Sequence, residues 1–173
     1  MPMEQFHERC AEVASRERRS IIIRNHDRLP DGQYGFFESY CNEAGCDCRR
    51  VFLTVLSPDH EGILATINYG WESRAFYRRW TSGPQDEEDL DELTGPVLAP
   101  MNPQSNLAPA LLELFEEKVK DPEYMERLAR HYRMFKEVVN REGEYPELVR
   151  GKRTPRNAPC PCGSGKKYKR CCM

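Results

Sequence analysis

Long apolar runs are absent from this sequence. No segment approaches the roughly twenty consecutive apolar residues that a membrane span requires, and the polar, charged start Met1 to Cys10 carries no export signal of the usual kind. Strong core formers are also scarce: Leu, Ile, Val and Phe together supply 33 of the 173 residues, close to the level at which chains stop ordering themselves. A net charge of only −2, with eight Tyr and two Trp, argues against disorder. The expectation is a thin core, of the kind that a bound metal often reinforces. Internal repeats and low-complexity stretches are missing too. At this length the prior is one domain, with room for a small appendage.

Charge is distributed unevenly. Residues 150–173 hold eight Lys or Arg and no acid, so the preceding 149 residues carry a net charge of −10. A basic tail on an acidic body points to an anionic partner, such as RNA, a ribosome or an acidic protein face, or else to cations that offset the tail's own thiolates. With neither export signal nor span, the chain is expected in the cytoplasm, where thiols stay reduced; eight cysteines then point to metal rather than disulfides.

Along the chain, residues 3–20 read as a helix with Phe6, Cys10, Val13 and Ala14 near one face, and Ile21 to Ile23 as a short strand. A turn at Leu29 to Gly32 leads into an aromatic-rich stretch from Tyr34 to Tyr40. The runs Val51 to Leu56 and Ile63 to Tyr69 flank turn formers and predict a hairpin. Residues 72–80 read as a short helix, 86–92 as a solvated acidic face, and 94–106 as a loop. Leu107, Leu111, Leu114, Phe115 and Val119 mark one helix, capped by Ser105 or Asn106. Asp121-Pro122 opens a second, with Tyr124, Leu128, Tyr132, Phe135 and Val139 on its face and Gly143 at its end. The two are expected to pair antiparallel, with His131 in a core or surface role. Residues 151–155 read as a linker.

The tail holds the strongest motif. Cys160-Pro-Cys162 and Cys171-Cys172 offer four thiolates, enough for a tetrahedral Zn²⁺ shell. Gly163-Ser164-Gly165 gives the chain freedom to reverse between the pairs, and Lys166 to Arg170 is expected to form one helical turn. So short a piece cannot bury enough surface to fold alone, and zinc supplies the missing free energy, about 10–16 kcal/mol in metal-binding peptides. Asn157-Ala-Pro-Cys-Pro-Cys-Gly-Ser-Gly-Lys-Lys-Tyr-Lys-Arg-Cys-Cys172 closely resembles the SEC-C motif, the tail of the translocase ATPase SecA and of many otherwise unrelated bacterial proteins. The resemblance covers about a tenth of the chain. It implies zinc binding and docking, on a SecB-like export chaperone or a ribosome; Cys172 stands where SecA commonly has His. No Gly-rich phosphate loop of the Walker type is present, which excludes a translocase ATPase.

A second concentration of sulfur lies at Cys41, Cys46 and Cys48. Three thiolates suit a second zinc, but a closed structural site needs four ligands; His26 is the preferred fourth, ahead of His60 and Cys10. An open fourth position would instead suit catalysis, with Glu38 or Glu43 as base. Plain core thiols are the remaining reading. Arg74, Arg78 and Arg79 beside Trp71, Phe76, Tyr77 and Trp80 could stack nucleic-acid bases, although such a stripe at helical spacing is usually core.

The expected architecture is α+β: a small antiparallel sheet with flanking helices over residues 1–150, a linker at 151–155, and a zinc-knuckle module over 156–173. The expected function is a zinc-binding adaptor that docks through its tail. A metal-dependent enzyme centred on Cys41, Cys46 and Cys48, or a nucleic-acid-binding protein, are the alternatives.

Overall fold

A computed structural model of the chain describes residues 2–17, 20–81, 83, 86–144, 157 and 167–170. The chain divides into two compact units, Met1–Asn140 and Arg141–Met173. In the first, an antiparallel sheet is built from β1 (Met3–Gln5), β2 (Ser20–Ile23), β3 (Gly32–Cys41), β4 (Arg50–Ser57), β5 (His60–Gly70) and β6 (Val97–Leu98). Around it lie α1 (Phe6–Arg9), α2 (Ala11–Glu17), α3 (Arg74–Trp80), α4 (Glu87–Thr94), α5 (Ala108–Lys118) and α6 (Pro122–Glu144). The α+β class is as the sequence predicts. Among the described residues no helix is long and apolar enough to cross a membrane.

Strand β3 is the organising element. Gly35 pairs with both Ser20 and Leu56, and Ser39 with both Gln5 and Phe52. β4 therefore occupies one edge of β3, while β1 and β2 share the other, one at each end. Alternation turns Tyr34, Phe36, Glu38 and Tyr40 to one face. Register places Val55 opposite Phe36 and Leu53 opposite Glu38, so the fully buried Val51, Leu53 and Val55 share that face. Helices α5 and α6 cover it: the Phe36 ring lies 6.2 Å from Phe115, and Tyr40 lies 5.7 Å from Phe135.

The β4–β5 hairpin forms as read, closed at Ser57 and His60. Asp121 opens α6 as read, its Oδ1 accepting the Glu123 N–H at 3.0 Å. Four expectations change. Residues 3–5 pair backbone to backbone with β3 instead of starting a helix, and the helical segment that follows is broken at Cys10. Residues 97–98 form an edge strand inside the expected loop. The acidic run folds as α4, with a capping box in which Asp86 and Asp89 bond each other's backbone N–H, and it buries Leu90. Gly143 lies within α6, which runs on to Glu144.

The opposite sheet face is partly covered by α3 and α4. Their approach is so close at Gly70 that a Cβ there would collide with the Leu93 carbonyl oxygen and the Tyr77 hydroxyl. Tyr77, fully buried, donates its hydroxyl to the Arg49 carbonyl at 2.9 Å and so ties α3 to the loop that precedes β4.

Candidate metal centre

Between β3 and β4 the chain makes an eight-residue excursion, 42–49, that brings Cys41, Cys46 and Cys48 together. Their sulfurs all lie within 4.8 Å of one another. Thiolates on a tetrahedral zinc sit about 3.8 Å apart, given bonds of about 2.3 Å, so three sulfurs this close need little adjustment to share an ion. Cys41 and Cys48 are fully buried and Cys46 is half-buried.

The loop achieves this with two left-handed residues, Gly45 at φ 76° and Arg49 at φ 46°. Glycine adopts that region freely, whereas at Arg49 it carries strain that the surroundings must overcome. They do so with the Tyr77 hydroxyl on the Arg49 carbonyl and with ion pairs from the Arg49 guanidinium to Asp47 and Glu72, both at 2.8 Å. The Cys46 N–H closes a turn on the Glu43 carbonyl at 3.2 Å.

Helix α6 supplies the other wall. Lys136, only 6% exposed, donates Nζ to the Glu43 carbonyl at 2.6 Å and to the Cys41 carbonyl at 3.3 Å. One turn later Asn140 accepts the Gly45 N–H at 2.9 Å, and one turn earlier the Tyr132 ring packs edge-on against Trp71 at 5.3 Å. Residues 132, 136 and 140 follow i, i+4 spacing and share one helix face.

The electrostatics favour a metal over free thiolates. Burial pushes the Cys48 thiol up to about 12, and the neighbouring Cys41 and Cys46 push it in the same direction. Cys46 is raised as well, first by burial and then by Cys41, while Lys136 works against the shift. A raised thiol pKa at Cys46 and Cys48 disfavours bare thiolates there, whereas a divalent cation would accept the three sulfurs as soft donors. Arg50 lies close by: its Nε is buried with no partner, and burial lowers its pKa while proximity to Cys48 works against that shift. Thiolate formation would place an anion near that cation.

Among the described residues no fourth Cys, His or carboxylate joins the three sulfurs. His26 does not. It lies in the 24–31 loop, beyond the Gly32 end of β3, whereas Cys41 ends that strand nine residues away, about 30 Å at 3.3 Å per residue. Its Nδ1 accepts the backbone N–H groups of Arg28 and Leu29, both at 3.1 Å, so the imidazole shapes its own turn. His60 sits at the same remote end, 6.3 Å from the Tyr34 ring. Cys10, between α1 and α2, is outside the cluster of three.

Glu38, considered as a base beside the thiols, is committed elsewhere. It is 8% exposed and receives hydrogen bonds from Arg127 Nη1 at 2.9 Å and the Tyr40 hydroxyl at 2.8 Å, with His131 Nδ1 at 2.7 Å. His131 is 1% exposed, and its Nε2 faces Glu17 at 3.1 Å. This buried network joins residues about 90 positions apart and had no signal in the sequence. Of the aromatic stripe Tyr77 is buried and edge-on to Trp80, while Trp71, packed on Tyr132, Phe76 and Trp80 are half-buried. Arg74 and Arg78 pair with Glu87, and Arg74 also with Asp91, so α4 occupies these two cations.

The four tail cysteines, Cys160, Cys162, Cys171 and Cys172, and the linker 151–155 lie outside the described residues. Within the tail, Tyr168–Arg170 form one 3₁₀ turn with the Arg170 N–H on the Lys167 carbonyl at 2.8 Å, where the sequence predicts a helical turn.

Residues 156–173 match the SEC-C motif family. The chain is similar to protein translocase subunit SecA of Campylobacter curvus, 72% identical over 32 residues, which is 18% of this chain and 4% of that protein. It is also similar to SecA of Trichlorobacter lovleyi, 47% identical over 60 residues (32% of this chain, 7% of that protein). A third likeness, to SecA of Desulforudis audaxviator, is 43% identical over 60 residues and spans 35% of this chain and 6% of that protein. The chain thus spans less than a tenth of the length of these relatives. No solved structure matches it.

Proposed function

We propose that this chain is a zinc-binding interaction protein of the cytoplasm, whose basic tail docks on a protein or ribosomal partner. Cys160, Cys162, Cys171 and Cys172 hold one zinc and give the tail its docking shape. Cys41, Cys46 and Cys48 hold a second ion that fixes the 42–49 loop against α6. The observation that carries this reading is the SEC-C match at 156–173, a segment that unites four cysteines with five of the tail's basic residues. The similarity to SecA supports an export chaperone of the SecB kind, or the ribosome, as the partner to test first. Soft, thiolate-only donors on both segments support zinc as the ion.

The test uses the full chain purified under reducing conditions. Metal analysis is expected to find two zinc ions per chain, one after Cys160→Ser/Cys162→Ser and one after Cys41→Ser/Cys48→Ser. Purified SecB and ribosomes are then offered separately to the wild type and to the tail variant. Capture of either partner by the wild type, lost in the tail variant, supports docking through the zinc module. Full zinc content or undiminished capture in the tail variant overturns the reading.

A further inference from the structure

The three thiols of the 42–49 excursion differ in what they expose. Cys41 and Cys48 are each 0% exposed, while Cys46 keeps solvent-accessible surface and its thiol is less deeply buried than that of Cys48. All three sulfurs nevertheless lie within 4.8 Å of one another, and that of Cys46 is within hydrogen-bond reach of both others. A disulfide brings two sulfurs to about 2.05 Å, a short movement from such a start. One residue of the group therefore meets solvent with its partners already beside it.

Cys41 and Cys48 are not equivalent partners for it. The Cys48 sulfur accepts the Arg50 backbone N–H where the chain enters β4, and only Asp47 separates Cys48 from Cys46. Asp47 is itself fixed by the Arg49 guanidinium at 2.8 Å. So short a ring, held on both sides, resists the geometry that a disulfide demands. Between Cys41 and Cys46 lie four residues, the last of them Gly45 at φ 76°, where glycine turns freely.

Resting on the reading that these cysteines hold an ion, we propose that Cys46 is a peroxide-oxidation site whose disulfide with Cys41 releases that ion. As a metal ligand Cys46 is a thiolate, the form that attacks peroxides. It attacks one peroxide oxygen; the O–O bond breaks, a sulfenic acid forms and hydroxide leaves. The Cys41 thiolate then attacks the sulfenic sulfur, the S–S bond forms and a second hydroxide departs. Two protons turn the hydroxides into water, and the two electrons that reduce the peroxide come from the two sulfurs. Cys48 remains as the one thiolate of the three, too few donors to keep a zinc ion.

The full chain carrying Cys160→Ser, Cys162→Ser, Cys171→Ser and Cys172→Ser is loaded with zinc and freed of excess metal. One zinc per chain before treatment supports the ion; none removes the ion reading and this proposal with it. Under hydrogen peroxide, zinc release is expected to match disulfide formation one to one, mapped to Cys41–Cys46 by mass spectrometry of the unreduced digest. Brief exposure with dimedone present should label Cys46 about tenfold more than Cys41 or Cys48. Dithiothreitol followed by zinc should restore the loaded form. Adding Cys10→Ser should change none of this, because Cys10 lies outside the cluster. Zinc bound at one per chain yet retained under peroxide, a disulfide that joins another pair, or dimedone first on Cys41 or Cys48 each overturns the proposal while the ion reading stands.

Discussion

Lys136 shows how one side chain can serve structure and site together. Its Nζ is the donor for two carbonyls, those of Cys41 and Glu43, and a positive charge that works against the burial-driven rise of the Cys46 thiol pKa. Lys136→Met keeps the length of the stem but leaves both carbonyls without their donor, a loss of about 1–3 kcal/mol for a buried group. Urea unfolding of the zinc-loaded protein should show that loss, and the second zinc should leave at lower chelator concentration; wild-type behaviour on both counts would refute the role given to this lysine. Glu17 allows a pH prediction. The Arg130 guanidinium, bonded to it at 2.6 Å, is the main reason its carboxyl falls from 4.5 to about 2. A carboxyl depressed in the folded state stabilises fully above its unfolded pKa, and that contribution disappears as pH falls through the folded value. The melting-temperature advantage of wild type over Glu17→Gln should therefore hold above about pH 4.5 and vanish towards pH 2. An advantage that persists unchanged at the acid end would rule out this ion pair as its source.

Helix α6 is the element on which most of the body depends. One stripe, Leu128, Tyr132, Phe135 and Val139, fills the core, while Arg127, His131, Lys136 and Asn140 reach the buried network and the thiol loop. Leu128 is fully buried, and its carbonyl also receives the Tyr40 hydroxyl at 3.1 Å. Leu128→Ala should cost about 2–5 kcal/mol in chemical denaturation; less than 1 kcal/mol would mean the stripe does not carry the core. That stripe was legible in the sequence because helical periodicity repeats over six turns, as were Asp121-Pro122 at the start and the hairpin with its β-branched strands. β1 was not legible: Met3, Glu4 and Gln5 have no apolar alternation, and they become a strand only because the β3 edge offers backbone partners. At the candidate metal centre, the three cysteines were visible by spacing. Lys136 and Asn140 were not, since nothing local marks which helix face will meet a loop some 90 residues earlier. His26 misled for the same reason. Closeness in sequence to Cys41 said nothing about a strand that separates the two by its full length.

At the scale of the whole molecule, two compact units and two groups of cysteines raise the question of whether metal release is one event or two. Both tryptophans belong to the first unit, Trp71 packed on Tyr132 and Trp80 on Tyr77. Tyr132 in turn lines the region of Asp47 and Arg49, so Trp71 emission reports on the thiol loop. The tail contains no tryptophan. If each unit keeps its own ion, a chelator titration followed by released zinc and by tryptophan fluorescence should separate into a silent step and a step that alters emission. The silent step belongs to the tail, whose short segment depends on metal for its fold; the fluorescent step belongs to Cys41, Cys46 and Cys48. Replacing the tail cysteines with serine should delete the silent step and leave the melting temperature of the body unchanged, because its core is assembled within residues 1–140. A single step that moves zinc and fluorescence together in the wild type, or a body destabilised by the tail substitutions, would overturn the expectation that the two groups of cysteines release metal independently.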